Sequence, residues 1–135
     1  MIEVTVDHLG SVQFEIHARQ HTLVCDQPPA NGGFDEGMTP PEIFLGGLGA
    51  CAAYYAAEYL RKHGLATEGT RVRVEADKLA NPARLDHLRI EVDLPLTLNA
   101  EHGEGVERAV RHCLIHNTLL SHPIIEIAIQ VPAEV

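Results

Sequence analysis

Apolar and polar residues alternate in six short segments of the chain, and this period of two residues predicts β-strands. The first two strands should form a hairpin around Leu9 and Gly10, and Asn81-Pro82 should mark the turn between the fourth and the fifth. The predicted strands cover residues 2–7, 11–19, 21–25, 70–77, 86–94 and 124–131.

A long helix is predicted after the third strand, because both of its ends carry specific signals. Thr39 and Glu42 match the Thr-x-x-Glu capping box, and Pro40 suits the first helical position. The helix should run to about His63, where Gly64 provides a C-terminal stop.

The middle of this helix, residues 45–57, is almost uncharged and rich in glycine and alanine. A helix that is apolar on every side is buried on every side, so we expect it at the centre of the fold, in close contact with other elements or with a copy of itself. A second helix should cover about 100–120 and carry Cys113 on its apolar stripe. The order βββ-α-ββ-α-β predicts one α+β domain, residues 1–135, with antiparallel sheets wrapped around two long central helices.

Charge and composition exclude several classes of partner. The formal net charge is −9, and the ten lysines and arginines are scattered, so we expect no nucleic-acid partner. No apolar run reaches the roughly 18 residues of a membrane span, and the alternating N-terminus is unlike a signal peptide. We therefore expect a cytoplasmic protein without membrane association. In such a reducing compartment a disulfide is more often transient and catalytic than structural.

Cys51 and Cys113 each lie inside a predicted helix. Tyr54, Tyr55 and Glu58 share the helical face of Cys51, and the tyrosine hydroxyls could bind an oxygen-containing substrate or simply belong to the core. A buried thiol has a raised pKa and is inert, so a reactive Cys51 needs a nearby cation, which its local sequence does not supply. Taken alone, Cys51 is a core residue.

Histidines flank the second cysteine. His112 is adjacent to Cys113 and His116 lies three residues beyond it, so either could polarise a thiolate. The four-residue spacing of the histidines also suits two metal ligands, but a metal site needs three or four convergent ligands. We therefore expect no metal and no other cofactor, with a site of His112, Cys113 and His116 as an alternative. Cys25, in the third strand, is most simply a core residue.

Two motifs in the chain resemble the OsmC and organic-hydroperoxide-resistance superfamily. One begins with Asp-Gln-Pro at residue 26, continues through Gly-Gly and Gly-Met-Thr-Pro-Pro-Glu, and ends with Leu-Gly-Ala-Cys at 48–51. The other is Cys-x-x-x-Asn-Thr-Leu at 113–119, followed by a Pro-Ile-Ile strand. The order of elements matches over nearly the whole chain and is most similar to the OsmC-like branch of small bacterial proteins.

The resemblance implies an intertwined homodimer with the long helices at its centre and two sites at the subunit interface. It also implies that Cys51 attacks an organic hydroperoxide and becomes a sulfenic acid, and that Cys113 resolves this acid as a disulfide that a dithiol donor reduces. The hydroperoxide, or another small apolar ligand, would lie against a wall of Phe44, Leu48, Tyr54 and Tyr55.

The sequence departs from the peroxidases of this superfamily where they activate their cysteine. There a loop arginine pairs with a glutamate ten residues before the cysteine, a position occupied here by Pro41. Glu42, one residue later, is a candidate for the same role, although the capping box explains it without function. The loop 26–38 contains no arginine, so the cation would have to come from Arg19 or from one of the two histidines near the second cysteine. If none of these residues activates Cys51, the alternative is that the chain is a non-catalytic OsmC-like stress protein or small-ligand-binding protein.

Overall fold

A computed structural model describes residues 1–134. They form an α+β fold of five strands and three α-helices, which confirms the predicted class. They also divide into two compact units, one of Met1–Ala50 with Val72–Glu91 and one of Cys51–Arg71 with the residues from Val92 onwards. The elements are β1 (Thr5–Gly10), β2 (Gln13–Ala18), β3 (His21–Cys25), α1 (Pro40–Lys62), β4 (Arg71–Leu79), β5 (Arg84–Asp93), α2 (Ala100–Val110) and α3 (Leu114–Leu120).

The first unit contains an antiparallel sheet of order β1-β2-β3. The first hairpin turns at residues 11–12, so the predicted turn at Leu9 and Gly10 was two residues early. The ring Nε2 of His8 lies 2.8 Å from the carbonyl oxygen of Ser11 and closes this turn. Arg19, predicted to lie in a strand, occupies the β2–β3 turn with a positive φ of 55°.

The long loop after β3 is organised around the buried carboxylate of Asp26. This carboxylate accepts hydrogen bonds from Gln13 Nε2 at 2.9 Å and from the backbone N–H groups of Gln27, Phe34 and Glu36 at 2.7, 3.2 and 3.0 Å. The hydrogen bond from Gln13, together with the three backbone donors, outweighs burial and lowers the pKa of Asp26 to about 2. One ionised side chain therefore holds both ends of the loop.

Two glycines let the same loop pack against its own backbone. A Cβ atom at Gly33 would overlap the carbonyl oxygen of Gln27, and one at Gly37 would overlap the carbonyl oxygen of Val24. These glycines are therefore required by close approach of the chain.

Replacing Asp26 with asparagine should lower the melting temperature at pH 7 by several degrees, because an amide cannot accept hydrogen bonds from all four donors. The folded-state pKa of about 2 lies below the ordinary value of 3.8, so ionised Asp26 stabilises the fold above about pH 4. That contribution is lost as the pH falls toward 2. Thermal unfolding measured between pH 7 and pH 2 should therefore show the melting temperatures of the unmodified protein and of Asp26→Asn converging as the pH falls. Asp35→Asn, an exposed carboxylate of the same loop, is the control, and an equal effect there would contradict the role of Asp26.

Both ends of α1 form as predicted. The N–H and hydroxyl of Thr39 each donate to Glu42 Oε1 at 2.9 Å, and the N–H of Glu42 lies 3.4 Å from Thr39 Oγ1. At the other end Gly64 has a φ of 66°, and the N–H of Leu65 donates to the carbonyl of Leu60 at 2.8 Å. The capping box and the glycine stop are confirmed.

The buried residues of α1 form a single stripe along the helix, which consists of Leu48, Gly49, Ala52, Ala56 and Leu60. The expectation that the helix is buried on every side is therefore wrong within one chain. Gly49 lies on this stripe, where a Cβ atom would come within 3.0 Å of Val74 Cγ2. Other faces carry Phe44 and Tyr54, whose exposed fractions are 41% and 61%. By length and composition α1 also meets the criterion for a membrane span, contrary to expectation, as buried helices of globular proteins also do.

The core of the second unit lies between α1 and α2. Ala56 and Leu60 of α1 contact Val106 of α2, and partly buried leucines and valines surround them. Tyr59 lies directly over Gly105, where a Cβ atom would overlap its ring, and the Tyr59 hydroxyl lies 3.0 Å from His102 Nδ1.

Two sequence predictions in the C-terminal third were wrong. The second helix is interrupted at residues 111–113, because the N–H groups of His112 and Cys113 bond three residues back and the chain then extends. The segment 124–131 is not a strand, since residues 122–134 form neither helix nor strand. A strand requires a hydrogen-bonded neighbour, which this segment lacks within the described chain.

Candidate functional site

In the second unit the thiols of Cys51 and Cys113 lie close enough for each to shift the pKa of the other. Cys51 lies on α1 and is partly buried, whereas Cys113 is fully buried immediately before α3. All three cysteines are free thiols. The structure therefore places the two predicted thiols together, and their catalytic roles stay predictions.

Backbone amides at the start of α3 act on both thiols. The backbone amides of Ile115 and Leu114 lower the pKa of the Cys51 thiol. The N–H of His116 points at Cys113 Sγ, 3.5 Å away, so Cys113 is the N-cap of α3. The interruption between α2 and α3 creates this arrangement, because a continuous helix would bind these amides internally.

These contacts separate the acidities of the two thiols. Burial raises the pKa of Cys51, but hydrogen bonds from the Cys113 thiol and from the amides of Ile115 and Leu114 lower it below its usual value. Burial and the hydrogen bond to Cys51 raise the pKa of Cys113. Cys51 is therefore the thiol that ionises first, and Cys113 donates its S–H to it.

The expected cation is not what lowers the pKa of Cys51. Within residues 1–134 the groups that lower this pKa are the Cys113 thiol and the backbone amides of Ile115 and Leu114. His112 Nδ1 lies 2.8 Å from the carbonyl of Arg108, and His116 Nδ1 lies 3.2 Å from Asn117 Oδ1. Sequence reasoning missed the two amides because any residue except proline supplies one.

The part of the chain that the structure describes contains no group of three or more histidine, cysteine or acidic side chains placed to hold a metal ion. The alternative site of His112, Cys113 and His116 therefore does not assemble there. Each ring Nδ1 of the two histidines instead lies beside an oxygen of its own segment.

The other predicted site residues lie in different settings. Glu42 is held by Thr39 in the capping box, whose hydrogen bonds lower its pKa. In the first unit Phe44 borders an apolar pocket, whereas Leu48 is buried in the core. In the second unit the rings of Tyr54 and Tyr55 meet edge to face, 5.3 Å apart. Their contact with substrate stays a prediction.

Cys25 differs from Cys51 in its electrostatic setting. It is 6% exposed, and burial together with the neighbouring Asp26 carboxylate raises the pKa of its thiol. Cys25 is thus a neutral core residue, as predicted.

Replacing Leu114 with proline should slow alkylation of Cys51 at neutral pH by about five-fold, since it removes one donor worth roughly 1 kcal/mol. Proline suits this first position of α3, and Cys113 already has the extended φ of −54° and ψ of 126° preferred before proline. Leu114→Ala, which keeps the N–H, is the matched control. Alkylation rates across pH, read at the Cys51 peptide by mass spectrometry, measure the difference. Identical pH profiles for the two variants would contradict activation by the amide.

The chain belongs to the OsmC-like protein family, whose model matches residues 33–128. This match spans the end of the loop after β3, α1 with Cys51, and the turn with Cys113. No significant match was found among curated proteins.

Solved structures of the same fold resemble the chain at low sequence identity. An OsmC-like protein from Mycoplasma pneumoniae is 20% identical with a TM-score of 0.72, covering 90% of this chain and 88% of its own. The organic hydroperoxide resistance protein OsmC from Legionella pneumophila is 16% identical with a TM-score of 0.67 and 90% coverage of both chains. OhrB of Bacillus subtilis, another organic hydroperoxide resistance protein, is 16% identical with a TM-score of 0.60, covering 90% and 91%. At these identities the likeness establishes the fold alone.

Proposed function

We propose that this protein is a thiol-dependent peroxidase that reduces organic hydroperoxides in the cytoplasm, with Cys51 as the attacking thiol and Cys113 as the resolving thiol. The observation that carries this proposal is the pairing of the two thiols, in which the partly exposed Cys51 has the lowered pKa and the buried Cys113 the raised one. Reactive cysteines combine a low pKa with access, whereas structural cysteines are buried and neutral, as Cys25 is.

The chemistry requires only the two thiols and two substrates. The Cys51 thiolate attacks the terminal oxygen of the hydroperoxide and the O–O bond breaks. The alkoxide takes up a proton and leaves as an alcohol, and Cys51 becomes a sulfenic acid. Cys113 then attacks this sulfur, its proton leaves with the hydroxide as water, and a disulfide forms. A dithiol donor reduces the disulfide and is itself oxidised.

The proposed protein is an intertwined homodimer. The segment 124–131 alternates apolar and polar residues but pairs with nothing within the described chain, and a strand of a second copy would give it a partner. Large apolar side chains of this segment are 78–92% exposed, and Phe44 and Tyr54 of α1 are exposed as well. Such a surface is typical of an interface rather than of an isolated monomer. The exposed residues of the segment are Ile124, Ile125, Ile127, Ile129 and Val131.

A specific observation favours the alternative of a non-catalytic ligand-binding protein. The first unit contains a pocket of about 430 Å³ whose lining is almost entirely apolar, a size typical of small-molecule sites. Its walls come from β1, β2, the end of β3 and the start of α1. They are Val6, Phe14, Ile16, Cys25, Pro40, Ile43 and Phe44.

Consumption of an organic hydroperoxide in the presence of a dithiol reductant distinguishes the two functions. The proposed peroxidase should turn over many times, and alkylation at the Cys51 peptide should report a pKa below that of a free cysteine, about 8.5. Hydrogen peroxide is the control substrate without an apolar group. Absence of turnover together with an inert Cys51 would reject the peroxidase in favour of the ligand-binding protein.

A further inference from the structure

Three aromatic rings pack together in the second unit, where α1 ends and α2 begins. The rings of Tyr59 and His63 stack with their centres 4.0 Å apart, and the ring of His102 meets both edge to face, at 5.9 and 5.4 Å. Gly105 leaves space for this cluster, because a Cβ atom there would overlap the Tyr59 ring. Tyr59 lies about 12 Å along α1 from Cys51, so the cluster is separate from the thiol pair.

The hydrogen bonds of the two histidines determine which ring nitrogen is available to a ligand. His63 Nδ1 lies 2.8 Å from the backbone carbonyl of Tyr59, which can only accept, so Nδ1 carries the proton and Nε2 keeps its lone pair. His102 Nδ1 lies 3.0 Å from the Tyr59 hydroxyl, which can accept in the same way. Within residues 1–134 neither Nε2 atom has a hydrogen-bond partner. A ring held by an oxygen at one nitrogen and free at the other is the usual arrangement of a metal-binding histidine.

The spacing of the two imidazoles suits a shared metal ion. An imidazole nitrogen lies about 2.0 to 2.1 Å from a bound Zn²⁺, so the centres of two rings that bind one tetrahedral ion lie roughly 5 Å apart. The ring centres of His63 and His102 are 5.4 Å apart. We propose that the Nε2 atoms of His63 and His102 bind one divalent ion of the kind that imidazole prefers, such as Zn²⁺, Cu²⁺ or Ni²⁺.

Water completes the coordination of this ion. No third histidine, cysteine or acidic side chain joins the pair within the described chain, so the site is open and weaker than a structural zinc site with four protein ligands. The bound ion links the C-terminal end of α1 to the first turn of α2, and an ion that binds only the folded protein stabilises it. This site goes beyond the proposed peroxidase function and does not depend on it.

Titration with Zn²⁺ alone, followed by NMR of the imidazole nitrogens, tests the site. Zn²⁺ is the probe because it has no redox chemistry and leaves the thiols reduced. The Nε2 resonances of His63 and His102 should shift together along one saturation curve, and the melting temperature should rise with the Zn²⁺ concentration. Zn²⁺ bound by the thiols would shift the resonances of Cys51 and Cys113 instead, so the two kinds of binding are distinguished.

His63→Ala should weaken the Zn²⁺ response of His102 by at least about ten-fold, because losing a group that only orients a ligand already costs that much. His63 is exposed, so its replacement should not prevent folding. His112→Ala is the matched control. Its Nδ1 also lies 2.8 Å from the carbonyl oxygen four residues earlier, but no second ring packs against it within residues 1–134.

The response of the pair should be unchanged in the His112→Ala protein. The metal site is overturned if neither ring responds to Zn²⁺, or if the two rings saturate at different Zn²⁺ concentrations. It is also overturned if His63→Ala leaves the response of His102 unchanged, or if His112→Ala weakens it equally.

Discussion

Replacing Cys51 with serine should lower hydroperoxide consumption by roughly a thousand-fold or more, because the nucleophile is lost and a serine hydroxyl is not ionised at neutral pH. Cys113→Ser should still react once per site, since its hydroxyl can donate to the Cys51 thiolate as the thiol does. Without a resolving thiol the sulfenic acid then persists and is over-oxidised. Rapid-mixing kinetics with limiting reductant, combined with mass spectrometry of the Cys51 peptide, separates the two outcomes.

Cys25→Ala is the control for this pair of variants. Cys25 is buried and has a raised pKa, so its removal should leave the rate unchanged. Equal activity of the Cys51→Ser protein and the unmodified protein would rule out the mechanism. Repeated turnover by Cys113→Ser would instead show that an external thiol resolves the sulfenic acid directly.

Replacing Gly33 with alanine should destabilise the protein by roughly 3 kcal/mol or more, at the upper end of the cost of overpacking. The new Cβ atom would overlap the carbonyl oxygen of Gln27 and come within 2.6 Å of Asp26 Oδ1. Relief requires movement of the backbone, which would separate the buried carboxylate from its donors. Urea unfolding gives the change in the free energy of unfolding.

Gly32→Ala is the matched control, one residue earlier in the same loop. Gly32 has a φ of 86° but open space around its Cα, so alanine there should cost only about 1 kcal/mol through backbone strain. Equal losses at the two positions would mean that the close approach at Gly33 does not limit stability.

Sequence signals located the elements whose ends are set by neighbouring residues. The helix α1 begins at the capping box of Thr39 and Glu42 and ends at Lys62, just before the glycine stop at Gly64, and β3 covers the predicted residues. These features are local, so their residue types carry the information. The second helix was predicted to be continuous because its apolar stripe passes through Cys113, and that pattern does not encode the turn at 111–113.

The candidate site was only partly accessible from sequence. A family motif pointed to Cys51 and Cys113, and the structure places the two thiols close enough for each to shift the pKa of the other. The groups that lower the pKa of Cys51 could not be identified from the sequence, since the amides of Leu114 and Ile115 belong to the backbone and every residue type except proline supplies one. Likewise the segment 124–131 has the pattern of a strand, but a pattern cannot supply the strand beside it.

The carboxylate of Asp26 should make the loop after β3 open as one cooperative unit. Its four donors come from β2 and from three separate positions of the loop, and all of them share a single acceptor residue. Partial opening would leave a buried charge with too few partners, so intermediate states are unfavourable. The amides of Gln27, Phe34 and Glu36 should therefore be exposed to solvent in the same opening event, although the first and the last are nine positions apart in the sequence.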